Sequence, residues 1–144
     1  WCAMMRVALA LLLLSVSCAG RPGPASIRLG EDACASCRMT IVSQNTAAQI
    51  VAPGAEPVFF DATGCLRHYV ATMPLPPEAM VFVTDHRTGE WVDARTAVFT
   101  KTNKATPMSS GLLAHANAAS RDADPAAHAG APIGLLFGEE GGGR

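Results

Sequence analysis

The sequence predicts an α+β fold, on three observations. Met80 to Thr84 (MVFVT) is a short apolar run of the length and composition of a buried strand. Leu66, Tyr69 and Val70 recur at helical spacing behind Asp61, which reads as the N-cap, and Pro74, Pro76 and Pro77 stop that helix. Pro53-Gly54-Ala55-Glu56-Pro57 is a turn between β-rich pieces, Met39 to Val51 on one side and Val58-Phe59-Phe60 on the other. The order is strand, strand, helix, strand.

The chain opens with Trp1, so Met4 or Met5 is the expected natural start. Arg6, the apolar run Val7 to Leu14, and small residues before Cys18 have the layout of an export signal. The run is shorter than the ~20 residues a bilayer span needs. A Cys directly after small residues resembles a bacterial lipobox, which makes Cys18 the expected lipidation site. Residues 1–18 are therefore read as signal and 19–26 (AGRPGPAS) as a flexible tether. The folded region is 27–137, in halves of about 27–85 and 86–137, with 138–144 a disordered tail.

The second half repeats the first loosely. Asp85 to Gly89 reads as a turn, with Trp91-Val92-Asp93 and Ala97-Val98-Phe99-Thr100 as strands. Ser109 to Ser120 (SSGLLAHANAAS) is Ala-rich and reads as helix, Asp124-Pro125 as a turn, and Ile133 to Phe137 as a last strand.

Composition narrows the function. With 11 basic and 12 acidic residues the formal charge is −1, and no basic block or basic-aromatic stripe occurs, which argues against nucleic acid. Once Cys2 and Cys18 are set aside, the exported domain keeps Cys34, Cys37 and Cys65, an odd number for an oxidising compartment. Metal ligation accounts for retained thiols; a Cys34–Cys37 disulfide is the competing account. The run Cys34-Ala35-Ser36-Cys37-Arg38-Met39 is dense in sulfur, the donor that selects soft ions such as Cu(I). If it is extended, Cys37 and Met39 face the same way. Met is equally a common core filler and buried Cys a small hydrophobe, so the six residues alone leave both readings open.

Several segments then occur in one order: Cys37-x-Met39, Phe59-Phe60-Asp61-x-x-Gly64-Cys65, Val83-Thr84-Asp85, Trp91-Val92-Asp93-Ala94 and Thr106-Pro107-Met108-x-x-Gly111. Together they resemble the NosL family, exported copper chaperones for maturation of nitrous oxide reductase. The resemblance runs from about Glu31 to Gly111 and more weakly to Phe137. It implies a lipid-anchored periplasmic protein with two ββαβ-like halves, similar in fold to the organomercurial lyase. It also implies a carrier rather than an enzyme, which binds one Cu(I) and passes it to the reductase assembly machinery, partly through an ABC transporter complex. The family's Cys-Gly-Met core falls on Cys37, Arg38 and Met39, and its Thr-Pro-Met motif on Met108. The resemblance thus makes Cys37, Met39 and Met108 the expected ligands. Arg38 stands where Gly is usual. Cys34 is a reserve ligand or a redox partner of Cys37, and His115, where Phe is usual, an extra ligand or a surface residue.

Cys65 reads as a buried small residue, and His68, His86 and His128 as solvent-facing histidines. The rivals are Cys34-x-x-Cys37 thiol–disulfide chemistry, carbon–mercury cleavage with Asp61 or Asp85 as acid, and copper carriage for another pathway. The CxxC motif works best at a helix N-terminus, whereas here β-branched residues follow it.

Overall fold

The computed structural model describes residues 20–127. Its strands are β1 (Ala48–Val51), β2 (Val58–Phe60), β3 (Met80–Thr84), β4 (Trp91–Asp93), β5 (Val98–Lys101) and β6 (Leu112–His115). Its α-helices are α1 (Thr63–Thr72) and α2 (Ala118–Asp122). The expected α+β class is what forms, and β1, β2, α1 and β3 follow the order read from the first half.

Strands β2-β1-β3-β4 make one antiparallel sheet in that order, and β5-β6 a second of two strands. Alternation sets the faces. Ala48 and Ile50 lie opposite Val83 and Val81, and these join Phe60, Leu66 and Ile41 in the core. Helix α1 packs across β1, β2 and β6, with Tyr69 edge-on to Phe60 at 5.0 Å between ring centroids. The opposite face carries the paired Gln49 and Phe82. Gln49 is tolerated on a central strand because its amide is satisfied: Oε1 accepts from Ala25 N–H at 2.8 Å, and Nε2 donates to Ala25 C=O at 3.1 Å. The fold is therefore pinned from Ala25, inside the segment read as tether.

Four expectations need correction. Ser109 to Ser120 is not one helix. Leu112, Leu113, Ala114 and His115 are all buried, and pairing with β5 overrides the helix propensity of an Ala-rich run. Only Ala118–Asp122 is helical, capped by Asn117, whose Oδ1 accepts from Ser120 N–H at 2.8 Å. Asp61 does not cap α1; Ala62 holds that position with no side-chain bond, and Asp61 is buried with Oδ1 unpartnered. Met39 to Ile41 is not a strand of the sheet and makes only a bridge, Ala33 to Thr40. Finally, a division at 85/86 cuts a hairpin, because β4 pairs with β3 and completes the first sheet. The signal, Cys18, His128, the strand expected at Ile133–Phe137 and the tail lie outside the described residues.

Buried carboxylates fasten the second sheet to the first. Asp85 accepts from Arg87 N–H and Thr88 N–H through Oδ1 and from Ala116 N–H through Oδ2 at 2.8 Å. These bonds leave Asp85 a structural part and not a free acid. Asp124 Oδ2 lies 2.7 Å from both His86 Nδ1 and His115 Nε2, and Oδ1 accepts from Ala126 N–H. Burial pushes the Asp124 carboxyl up, but the hydrogen bonds of His115 and His86 outweigh it and bring it to about 2. A carboxyl lowered on folding stabilises the native state above its unfolded value and ceases to do so as pH falls through its folded value. The metal-free protein is therefore expected to lose about 2 kcal/mol between pH 5 and pH 2 at this group. Urea unfolding of wild type and Asp124→Asn at both pH values checks this; the variant should lack that increment.

Candidate metal centre

Cys34, Cys37 and Cys65 arrive from two places. Cys34 to Met39 closes a tight loop: Cys34 N–H donates to Met39 C=O at 2.9 Å, and Arg38 N–H donates to Cys34 C=O at 2.9 Å. Ala35 N–H donates to Phe59 C=O at 2.9 Å and docks the loop on β2. Cys65 sits in the first turn of α1, directly after β2. The three sulfurs lie within 4.8 Å of one another, and all are free thiols.

Arg38 explains why the loop is not extended. Its φ is 67°, the left-handed region where a side chain costs about 1–2 kcal/mol. A glycine would be unstrained there. The turn also means that Cys37 and Met39 are not neighbours on one strand face. Arg38→Gly is expected to raise stability by about 1 kcal/mol, read as a shift in the urea midpoint, with metal stoichiometry unchanged.

The sulfurs differ electrostatically. Burial pushes the Cys34 thiol up, but N–H groups of Cys37, Asp61 and Ser36 directed at its sulfur outweigh burial and bring it below the ordinary thiol range. The Cys37 N–H is 3.4 Å from that sulfur. Cys65 is driven far above the ordinary range by burial, and then by negative charge at Cys34 and Cys37. The cluster thus favours one thiolate, at Cys34, and resists a second at Cys65.

A cavity of about 290 Å³ opens beside it, lined by Cys37, Gly64, Cys65, His68, Met108 and Ser110. Met108 reaches it from Pro107–Ser109, a 3-10 turn in which Met108 and Ser109 both have left-handed φ, 55° and 53°. The turn is held by Thr106, whose Oγ1 accepts from Gly111 N–H at 2.9 Å. Gly64 permits the approach: a Cβ on it would fall 2.3 Å from Ser110 Cβ. A glycine in the first turn of α1, unfavourable for helix formation alone, is there because a neighbouring loop occupies its side-chain space.

Of the residues expected at a metal, the structure gathers Cys34, Cys37 and Met108 around this cluster and cavity. Met39 is 58 % exposed and does not line the cavity; Met108 does, at 61 % exposure. His115 does not line it either. It is buried on β6 with Nε2 held by Asp124, so it is neither a surface residue nor part of the sulfur set. Sequence reasoning missed Cys65, because the helical pattern places it on the buried face without saying that Cys34 lies opposite. His68, exposed as expected, nevertheless adjoins the cavity one turn further along α1. Asp124 opens the expected turn, with Ala127 N–H donating to its C=O at 3.0 Å, while its side chain is bonded to His86, which is not the freely solvated histidine expected.

Thiols and a thioether around one opening suit a soft metal, and a copper-binding role fits the donor set. Among the described residues no helix is long and apolar enough to cross a membrane. No curated protein and no solved structure matches the chain. Residues 25–133 match the NosL family model, so a span that begins at the residue pinned by Gln49 and covers both sheets shows that the chain belongs to the NosL family.

Proposed function

We propose that this protein is an exported carrier of a single Cu(I) ion, which it delivers for assembly of the copper centre of nitrous oxide reductase. The observation that carries the reading is the meeting of Cys34, Cys37 and Cys65 beside a cavity over which Met108 stands. Cysteine ligates as its thiolate, and the N–H groups directed at the Cys34 sulfur already favour that form there. Cys34 and Cys37 hold the ion from below and Met108 closes from above. Met39, exposed one residue beyond the Arg38 turn, serves as an outer thioether at which the ion can pass to a partner. Thioethers need no deprotonation to bind or release, which suits transfer by ligand exchange.

Delivery is directed to the reductase and its maturation ABC transporter complex from a periplasmic position, with Cys18 as the lipid anchor. Family membership and the soft donor set support this reading; NosL is an accessory copper-binding family and not a known enzyme family. Anaerobic titration against a chromophoric Cu(I) chelator tests the site. Saturation at one equivalent is expected, with Met108→Leu weaker by about tenfold. Saturation at zero equivalents, or full affinity in Met108→Leu, would overturn the arrangement. Transfer of Cu(I) to the metal-free reductase tests delivery, and lipid labelling with Cys18→Ser as control tests the anchor.

A further inference from the structure

A second group of donors lies outside the sulfur cavity. One ring nitrogen each of His86 and His115 and one oxygen of Asp124 all fall within 4.8 Å of one another. They come from three segments, the β3–β4 turn, β6 and the stretch after α2, and the rings meet edge to face with centroids 6.2 Å apart. None of the three lines the cavity beside the cysteines.

We propose that His86, His115 and Asp124 form a second metal site, selective for a borderline divalent ion such as Zn(II) or Cu(II).

Two features favour an ion over a purely structural hydrogen-bonded cluster. First, both histidine nitrogens converge on the same oxygen, Asp124 Oδ2, at 2.7 Å each, while Oδ1 is engaged by Ala126 N–H. One cation can take the place of two N–H groups crowded on one oxygen. Second, His115 is wholly buried, yet its Nδ1 has no hydrogen-bond partner among the described residues. Buried polar atoms are ordinarily paired. Without an ion, His115 Nε2–H donates to Asp124, and the unpartnered Nδ1 is free to take that proton when an ion claims Nε2.

When an ion binds between neutral rings, the proton of His86 moves from Nδ1 to Nε2 and that of His115 from Nε2 to Nδ1. Two imidazoles and a carboxylate remain, with no net proton released. Ligand bonds of about 2.0–2.1 Å require the nitrogens and oxygen to part slightly from their present spacing. The His86 side chain is 26 % exposed, which supplies a way in and a solvent-facing fourth position. Imidazole and carboxylate suit Zn(II) and Cu(II), whereas Cu(I) prefers sulfur, so the two sites sort ions by donor chemistry.

The test adds Co(II) anaerobically to the full protein after its thiols have been saturated with Cu(I). One equivalent should bind with weak visible d–d bands and without intense near-ultraviolet thiolate charge transfer. His86→Gln and Asp124→Asn should each weaken Co(II) binding by at least about tenfold while Cu(I) stoichiometry is kept. If Asp124→Asn does not fold, His86→Gln, altered at a partly exposed position, carries the test. Absence of Co(II) uptake, thiolate charge transfer in its spectrum, or unchanged affinity in His86→Gln would overturn the proposal.

Discussion

Cys37→Ser is expected to lower Cu(I) affinity by about 100-fold or more. Loss of a partner that only orients a ligand commonly costs 10–100-fold, and a lost sulfur ligand should cost at least as much. Cys37 and Cys65 both belong to the three-thiol cluster and to the cavity that Met108 overlooks, and of the two it is Cys65 whose burial opposes the thiolate form. A serine hydroxyl is a hard, protonated oxygen and a poor donor to a soft ion. The fold should tolerate the change, since Cys37 is only half-buried and packs at the edge of the core. Unfolding of the metal-free variant should thus remain within about 1 kcal/mol of wild type. Competition against a chromophoric chelator reads the affinity, and denaturation without copper reads the fold. Affinity within threefold of wild type would place the ion elsewhere.

Gly64→Ala should have the second-largest effect, through packing and not through chemistry. The new methyl would lie 2.3 Å from Ser110 Cβ and 2.7 Å from its Oγ, and both atoms belong to the strand-leading loop. Overpacking of this kind costs about 1–3 kcal/mol. Relief requires the Ser110 loop to back away, and Met108 moves with it. Both the urea midpoint and Cu(I) retention should fall. Ser110→Gly removes the obstructing atoms, so the double variant should recover most of each loss. A Gly64→Ala protein with normal stability and normal copper binding would mean that the loop does not dock on α1 as described.

These two residues also mark where the sequence could and could not be read. The strands of the first sheet were visible because Met80–Thr84 and Val58–Phe60 are short apolar runs between strong turn signals, and chain order alone then gave strand, strand, helix, strand. The second half was harder. Leu112–His115 carries Ala and Leu in a pattern that local propensity assigns to helix, and only the partner strand Val98–Lys101 makes it extended. Cys37, Met108 and Cys34, sulfurs that the structure gathers around one cluster and cavity, were legible as candidates from sulfur spacing and family resemblance. Cys65 was not, because its role depends on which residue faces it across the β2–α1 junction. Gly64 counted against a helix when read locally, and becomes intelligible only once Ser110 is seen beside it. The His86–Asp124–His115 group was invisible for the same reason: its members lie far apart in the chain and are joined only by tertiary packing.

The left-handed residues Arg38, Met108 and Ser109 sit on the two loops that flank the cavity, one on the cysteine side and two on the methionine side. Side chains in that conformation raise the energy of the closed arrangement, while the paired core strands carry no comparable penalty. Opening these two loops would relieve that strain without breaking the sheet, so release of the ion proposed above would not require melting the body of the fold.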